Sequence, residues 1–231
     1  MWVPSLPKQS RNDSRSADLR SSAISAGFYA IADVCAARLA GLSVETFAKR
    51  LLSAQPAALQ IRAKRATARD VVAAVSALRD LCRRSRVPLI VNDRADLAEA
   101  GGADGVHVGQ SDMSVHEVRR HFPRLLVGVS THSLAQLRQA LMEKPDYVAF
   151  GPIFPTSTKQ DAEPALGLHT LSEASKLASS VGVPVVAIGG IDPKSAIEVY
   201  KFVPLIAAIG ATLARGSSEA AIVKAVGELS P

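Results

Sequence analysis

The sequence has few of the residues that form covalent cross-links or bind soft metals. Its 231 residues include two cysteines, Cys35 and Cys82. Two cysteines cannot form a disulfide framework or a cysteine-based metal cluster, and so low a number suits a reducing compartment such as the cytoplasm. We expect both to be small buried apolar side chains.

Long apolar runs and aromatic residues are also scarce. No stretch approaches the roughly 18 apolar residues that a membrane-spanning helix needs, which excludes a transmembrane protein. Aromatic residues make up 4% of the chain, so a stacking platform for single-stranded nucleic acid has little to be built from. What is present, 48% hydrophobic and 21% charged residues, is typical of a folded globular protein.

The chain carries a modest positive charge, with 27 Lys and Arg against 21 Asp and Glu and a formal net charge of +6. Such an excess fits nucleic acid, an anionic membrane or phosphorylated small molecules as partners. Residues 1–26 hold four basic and two acidic residues of this total. They predict a basic extension ahead of a single folded domain over residues 27–231. The extension lacks the apolar region of a secretory signal, and a transit peptide is the alternative.

Short apolar runs alternate with longer amphipathic stretches from residue 28 onward, and this alternation indicates the fold. Eight strands, each followed by a helix, predict a (β/α)₈ barrel, and an open doubly wound sheet is the alternative. No G-x-G-x-x-G follows the first run, so the usual dinucleotide fingerprint is missing. The predicted strands are 28–32, 57–61, 88–91, 105–108, 125–129, 146–150, 184–188 and 204–209. The predicted helices are 44–53, 68–84, 97–100, 115–121, 134–142, 171–181, 193–201 and 219–229.

A barrel assembles its active site from residues that follow the strands, at one face. Basic side chains meet this requirement after the second strand, where Arg62 and Lys64 lie two apart and share a face with Gln60 if the strand geometry continues. Together with Lys159, in the loop after the sixth strand, they would donate charge-assisted hydrogen bonds to phosphate oxygens. The alternative is a solvated strand end that leads into a basic helix face.

Two carboxylates follow neighbouring strands, Asp93 after the third and Asp112 after the fourth. Hard oxygen ligands of this kind suit Mg²⁺, which keeps several waters and binds substrate phosphates. The alternative for Asp93 is a cap on the helix that begins near residue 94. The histidines show no zinc-binding spacing, and His107 is expected to be a hydrogen-bonded residue of the core or of the site lining.

A second phosphate signal is the pair Gly189 and Gly190 after the seventh strand. Loops at this position of a barrel bind phosphate through backbone N–H groups, and glycine permits the close approach. The helix start at Asp192 and Pro193 adds a favourable dipole, and a plain tight turn is the alternative. Two phosphate sites on one rim predict two phosphorylated substrates held side by side, and departure of a diphosphate would need positioning, cations and metal more than a nucleophile.

Six motifs in this order closely resemble the thiamine phosphate synthase family, whose fold is shared by the thiazole tautomerases. They are QIRAK at 60–64, VNDR at 91–94, ADGVHVGQSD at 103–112, GVSTHS at 128–133, GPIFPTSTK at 151–159 and AIGGI at 187–191. The resemblance covers residues 28–215. It implies the joining of 4-amino-2-methyl-5-hydroxymethylpyrimidine diphosphate to thiazole phosphate, with diphosphate leaving first and the thiazole nitrogen attacking the pyrimidine cation. It also implies a homodimer.

The resemblance implies a role for each matching residue. Diphosphate binding is implied for Arg62, Lys64, Asn92 and Lys159, with Arg62, Lys64, Lys159 and Ser130 as the catalytic groups. Mg²⁺ binding is implied for Asp93 and Asp112, and orientation of the pyrimidine for Gln60 and Ser130. Contacts to the thiazole substrate are implied for Thr156 and Thr158, and contacts to its phosphate for Gly189, Ile209 and Gly210.

The sequence departs from the family pattern at two points. The first strand ends in Ala32-Asp33 where the family has Thr-Asp, and Gly210 stands where a phosphate-binding serine is expected. The second change keeps a backbone N–H and loses a hydroxyl donor. Two other functions remain as alternatives, a thiazole tautomerase and a non-catalytic basic module that binds nucleic acid through residues 1–26 and the arginines at 83–86. The complete diphosphate and metal set favours the synthase over the tautomerase.

Overall fold

Eight parallel strands form a closed barrel in chain order, with the first strand paired to the last. The computed structural model describes Ile24 and residues 26–64, 66–156, 163–208 and 218–230. A helix follows every strand within these residues. The predicted (β/α)₈ barrel is therefore confirmed, and the open doubly wound sheet is wrong.

The strands and helices agree with the predicted elements to within a few residues. The strands are β1 (Gly27–Asp33), β2 (Ala58–Arg62), β3 (Leu89–Asn92), β4 (Gly105–Val108), β5 (Leu126–Thr131), β6 (Tyr147–Phe150), β7 (Val185–Ile188) and β8 (Leu205–Ala208). The helices of the described residues are α1 (Val34–Leu39), α2 (Val44–Ser53), α3 (Ala68–Ser85), α4 (Ala95–Gly101), α5 (Val115–His121), α6 (Leu134–Met142), α7 (Gly167–Ser179), α8 (Pro193–Val199) and α9 (Glu219–Leu229). None of these helices has the length and apolar character needed to cross a membrane.

Side-chain caps start most of the helices where the sequence predicts them. Ser114 begins α5 with a capping box to Glu117, and Asp192 begins α8 ahead of Pro193 at the first helical position. Helix α1 was not predicted, and it begins because the Asp33 carboxylate accepts a hydrogen bond from the backbone of Ala36 at 2.9 Å.

Two layers of apolar side chains surround the strands, because successive residues of a strand point to opposite faces of the barrel wall. The outer layer lies between strands and helices and includes Phe47, Leu78 and the buried Cys82. The inner layer fills the barrel and includes Tyr29 and Tyr147. Our expectation for the other cysteine is wrong: Cys35 is exposed, since it lies on the outward face of α1.

Two aspartates hold strand ends together at the amino-terminal face of the barrel. Asp104 accepts a hydrogen bond from the backbone N–H of Leu89 at 2.8 Å, and Asp146 accepts one from Val127 at 2.7 Å. Each carboxylate therefore satisfies a backbone donor where a strand enters the barrel. Asp104, although part of a family motif, has a structural role at this face.

Candidate active site

The polar residues predicted to follow strands lie at the carboxyl-terminal face of the barrel, and several of them belong to the strands themselves. Arg62 and Asn92 are the last residues of β2 and β3, and Ser130 lies within β5. Asn92 is half-buried and pairs in register with His107 of β4. Strands β2 to β5 therefore contribute neighbouring side chains to one rim.

Alternation along β2 directs Gln60 and Arg62 to the same side of the barrel wall, as predicted. Gln60 is 3% exposed and donates from Nε2 to the Tyr29 hydroxyl at 3.0 Å. Lys64 lies two residues past Arg62 in a turn and is exposed. Arg62 and Lys64 therefore lie at the rim of the barrel, above the buried side-chain amide of Gln60.

Arg62 is held by a carboxylate from the neighbouring strand. Its guanidinium donates to Oδ2 of Asp33, the last residue of β1, and the two residues are also in register. Asp33 is 5% exposed and uses its other oxygen to cap α1. A buried carboxylate shared in this way between a helix start and a guanidinium fixes the direction in which Arg62 projects.

Asp93 follows β3 in a left-handed backbone conformation, with φ of +65°. Its backbone N–H donates to the carbonyl of His107 at 2.7 Å, so the residue is tied to β4. Asp112 accepts a hydrogen bond from the backbone N–H of Gly109 at 2.7 Å, which turns the loop after β4 back on itself. These two loop conformations bring the carboxyl groups of Asp93 and Asp112 close enough to hydrogen-bond when one of them is protonated.

The environment of Asp93 raises the pKa of its carboxyl group. Burial is the main cause, and the negative charge of Asp112 adds to it, while Lys64 and Arg62 act in the opposite direction. Two carboxylates and two cations therefore lie within electrostatic reach of one another. This arrangement combines the predicted metal pair with the predicted diphosphate cations.

The alternative interpretation of Asp93 as a helix cap is wrong. Helix α4 has Arg94 at its N-cap position and no side-chain cap hydrogen bond. Ser114 caps α5, so Asp112 is not a cap either. Neither carboxylate is used to start a helix.

Mg²⁺ fits this donor set. The negative charge of Asp112 raises the pKa of Asp93, a repulsion that a divalent cation would relieve, and carboxylate oxygens are the ligands that Mg²⁺ prefers. No group of three His, Cys, Asp or Glu side chains is arranged for a metal within the described ranges. Two protein carboxylates are nevertheless enough for an ion whose other ligands are waters and substrate phosphates.

Ser130 lies at the mouth of the barrel, above a buried histidine. His107 is 7% exposed, and its Nε2 lies 2.8 Å from the Ser130 hydroxyl oxygen. Gln110 donates from Nε2 to the backbone carbonyl of Ser130 at 2.6 Å and thereby joins the loop after β4 to β5. The expectation that His107 is a hydrogen-bonded residue of the core or of the site lining is confirmed.

Two tyrosines inside the barrel, which the sequence did not single out, extend the hydrogen bonding of His107 away from Ser130. The Tyr147 hydroxyl lies 3.0 Å from Nδ1 of His107 and 2.7 Å from the hydroxyl of Tyr29. Both tyrosines lie in predicted strands, 28–32 and 146–150, and no role was predicted for either of them. The signal that could have found them is the hydroxyl itself, because a buried phenol needs a polar partner.

The glycine pair after β7 is required by the loop after β6. The backbone N–H groups of Ile153 and Phe154 donate to the carbonyls of Ile188 and Gly189, each at 3.0 Å. Gly189 has φ of +98°, and a Cβ there would lie 2.5 Å from Cβ of Pro152. The glycines thus permit close packing of two loops as well as any approach by a phosphate.

His132 was quoted in a motif but given no role, and it holds the start of the same loop. Its Nδ1 lies 2.6 Å from the carbonyl oxygen of Gly151. A carbonyl only accepts, so Nδ1 carries the proton. The residues after β5 therefore position the chain segment that leads to Thr156.

Four of the predicted site residues lie outside the described residues, and Thr156 is half-buried at the edge of the described part. The four are Thr158, Lys159, Ile209 and Gly210. Their roles stay as predictions.

Residues 28–212 match the family described as Thiamine monophosphate synthase. A thiamine-phosphate synthase of Chloroflexus aurantiacus is 47% identical over 143 residues, which span 62% of this chain and just under two thirds, 65%, of that protein. A thiamine-phosphate synthase of Methanocella arvoryzae is 36% identical over 187 residues, 80% of this chain and 81% of that one.

Solved structures agree with the sequence relatives. Thiamine phosphate pyrophosphorylase from Pyrococcus furiosus superposes with a TM-score of 0.74 at 34% identity, over 91% of this chain and 95% of that chain. A 3-hexulose-6-phosphate synthase at 16% identity and a TM-score of 0.60 shares the fold alone. By the extent of the family match and the identity to these relatives, the chain belongs to the thiamine monophosphate synthase family.

Proposed function

We propose that this protein couples 4-amino-2-methyl-5-hydroxymethylpyrimidine diphosphate to thiazole phosphate, with thiamine phosphate and diphosphate as products. The observation that carries the proposal is the grouping of Asp93 and Asp112 with Lys64 and Arg62 at the carboxyl-terminal face. Membership of the family and the names of the relatives support the same reaction.

The reaction breaks the C–O bond to the leaving diphosphate and forms a C–N bond to the thiazole. As the C–O bond breaks, its electron pair moves to the diphosphate, so negative charge grows on the leaving oxygens. Arg62 and Lys64 would stabilise that charge, and the ion pair with Asp33 would hold the Arg62 guanidinium in place for it. Asn92 and Lys159 would complete the binding of the diphosphate.

Asp93 and Asp112 would hold Mg²⁺ next to the diphosphate. When bound, the ion supplies charge neutralisation for the phosphate oxygens of the leaving group. The two carboxylates would position this charge, because Asp93 is tied to β4 through the carbonyl of His107 and Asp112 to the residue after β4 through the backbone N–H of Gly109.

The nucleophile is the thiazole ring nitrogen, which carries a lone pair and needs no general base to attack a carbocation. What the site must supply is orientation, so that the nitrogen meets the pyrimidine carbon before water does. Thr156 and Thr158 would contact the thiazole, and Gly189, Ile209 and Gly210 would bind its phosphate through backbone N–H groups. Gln60 and Ser130 would hold the pyrimidine in place.

The test is a coupling assay with both substrates, with and without Mg²⁺, followed by chromatography of the products. We expect Mg²⁺-dependent formation of thiamine phosphate, and strong loss of turnover in Asp93→Ala and in Lys159→Ala with folded protein by circular dichroism. Full activity of both variants, or no product in the wild type with Mg²⁺ present, contradicts the proposal.

A second arm of the assay separates the synthase from its paralogue. A thiazole tautomerase isomerises carboxythiazole phosphate and needs no metal. We therefore expect no isomerisation of that compound by the wild type in the presence of EDTA. Isomerisation without coupling activity would reassign the protein to the tautomerases.

Two further expectations accompany this function. We propose a homodimer in the cytoplasm, from the family resemblance and the low cysteine count. Sedimentation equilibrium measures the oligomeric state, and fractionation of cells with an antibody to the protein measures the location.

A further inference from the structure

A row of hydrogen bonds runs through the inside of the barrel and ends at Ser130. Gln60 Nε2 lies 3.0 Å from the Tyr29 hydroxyl oxygen, which lies 2.7 Å from that of Tyr147. The Tyr147 oxygen lies 3.0 Å from His107 Nδ1, and His107 Nε2 lies 2.8 Å from Ser130 Oγ. Five residues from five strands are thus joined in one continuous polar row.

Counting protons gives this row a direction. The Gln60 amide nitrogen can only donate, so Tyr29 accepts from it. The buried Tyr29 proton needs an acceptor of its own, and the Tyr147 hydroxyl oxygen lies 2.7 Å away, so Tyr29 donates to Tyr147. Tyr147 accepts that bond and directs its single proton to His107 Nδ1.

The direction of the row determines which ring nitrogen of His107 carries the proton. It also determines whether the Ser130 hydroxyl accepts from His107 or donates to it. A neutral imidazole that accepts at Nδ1 carries its proton on Nε2, which then donates to Oγ of Ser130. The Ser130 hydroxyl proton is not used in that bond. It is therefore available for an acceptor atom at the mouth of the barrel.

Both phenols keep their protons under physiological conditions. Burial raises the pKa of Tyr29 and of Tyr147 well above the ordinary value for tyrosine. Each tyrosine can therefore both accept and donate one hydrogen bond, as a row with a single direction requires.

Packing holds the middle of the row in place independently of the hydrogen bonds. Tyr147 is fully buried, and its ring stacks on that of His107 with centroids 5.5 Å apart and planes at 28°. A Cβ at Gly128 would lie 2.0 Å from Cζ of Tyr147, so the absence of a side chain there makes room for the ring. A tyrosine set this tightly presents its hydroxyl in one position.

We propose that Tyr147 is a positioning residue that selects the Nε2-protonated form of His107, so that Ser130 acts as a hydrogen-bond donor to the substrate. The substrate atom that it would meet is an acceptor, such as a ring nitrogen of the aminopyrimidine. This last step rests on the proposed function; the state of His107 does not.

The first test measures that state directly by ¹⁵N NMR of the histidine side chains in the full chain at pH 8, where an imidazole is normally neutral. His107 is assigned by comparison with His107→Gln. We expect Nε2 to carry the proton and Nδ1 to show the shift of an acceptor nitrogen. A ring protonated at Nδ1, or at both nitrogens, overturns the proposal.

The three tyrosines of the chain provide matched variants. Tyr147→Phe removes the donor to Nδ1, so we expect a shift of the His107 signals toward a mixture of the two neutral forms. Tyr29→Phe keeps the Tyr147 hydroxyl but removes the bond that gives the row its direction, so we expect a smaller shift toward the same mixture. Tyr200→Phe loses a hydroxyl that donates to the Leu229 carbonyl at 2.7 Å, outside the row, and is the control. Equal His107 spectra in all three variants overturn the proposal.

Kinetics provide the second readout. We expect Tyr147→Phe to lower kcat/KM for the pyrimidine diphosphate roughly five- to tenfold, the effect of one neutral hydrogen bond, and Tyr200→Phe to leave it unchanged. Unchanged kcat/KM in Tyr147→Phe contradicts the positioning role. If the wild type has no coupling activity while NMR finds the Nε2-protonated form, the proposed function fails and the assignment of His107 stands.

Discussion

Asp33 and Arg62 meet across the first two strands of the barrel, and the same carboxylate serves a helix and a guanidinium. One oxygen of Asp33 caps α1 through the backbone of Ala36, and the other accepts from Arg62. The cap gives the helix its start and the ion pair gives Arg62 its direction. The two functions of this carboxylate can be separated by substitution.

Asp33→Asn and Asp33→Ala should differ in stability but not in catalysis. Asparagine caps a helix about as well as aspartate, whereas alanine does not, so Asp33→Ala should unfold with a free energy lower by about 1 kcal/mol than Asp33→Asn. Both variants lose the ion pair to Arg62, and we expect similar losses in kcat/KM for the pyrimidine diphosphate. Urea unfolding and steady-state assays measure the two effects. A normal kcat/KM in Asp33→Asn would show that Arg62 needs no partner.

Mg²⁺ should stabilise the folded protein through the Asp93 and Asp112 pair. Binding to the folded state alone adds about 2.7 kcal/mol at a hundred times the Kd, which corresponds to a rise in Tm of about 5–10 °C for a chain of this size. Asp112→Asn should abolish the rise. Asp96→Asn, which removes an exposed partner of Arg94, is the control and should retain it. Equal shifts in both variants would place the metal elsewhere.

Gly190→Ala should destabilise the protein more than Gly182→Ala. Both glycines have positive φ, +67° and +72°, so alanine costs about 1 kcal/mol at either site. A Cβ at Gly190 would also lie 2.5 Å from the carbonyl oxygen of Pro155, while Gly182 has nothing within 4 Å. We expect an additional loss of about 1–3 kcal/mol in Gly190→Ala. Thermal unfolding of both variants measures the difference. Equal Tm values would mean that the loop after β6 moves aside for the added Cβ at no cost in stability.

Gly128→Ala and Gly227→Ala should change the stability of the protein in opposite directions. A Cβ at Gly128 would overlap the ring of Tyr147, and overpacking of this kind costs about 1–3 kcal/mol or more. Gly227 lies within α9 with open space around it, so alanine there should stabilise the helix by about 0.5–1 kcal/mol. Urea unfolding compares both with the wild type. Stabilisation by Gly128→Ala would show that Tyr147 is not tightly packed.

The sequence predicts the rim of the barrel well, because each rim residue is located by its own strand. The proximity of Asp93 and Asp112 could be predicted from the sequence, because β3 and β4 are neighbours and each residue follows a strand end. The positions of Arg62 and Gln60 follow from simple alternation along β2. Local periodicity therefore suffices for these groups.

Contacts inside the barrel could not be predicted, because they depend on register between strands far apart in sequence. Tyr29 and Tyr147 are 118 residues apart, and in an apolar run a tyrosine looks the same whether its hydroxyl is paired or reaches solvent. The pairing of Asp33 with Arg62 required the register of β1 on β2. Cys35 was misplaced for a related reason, since α1 was not predicted and its outward face was unknown.

Closure of the barrel by β1 and β8 also has a consequence for synthesis of the chain. The paired segments of β1 and β8 are about 175 residues apart in the sequence. At a synthesis rate of about 5–20 residues per second, β8 is therefore made roughly 10–35 s after β1. Until then β1 and the newest strand are both open edges, the kind of surface on which chains pair wrongly. A chain that stops before Leu205 retains both edges permanently, and it should aggregate where the complete chain folds.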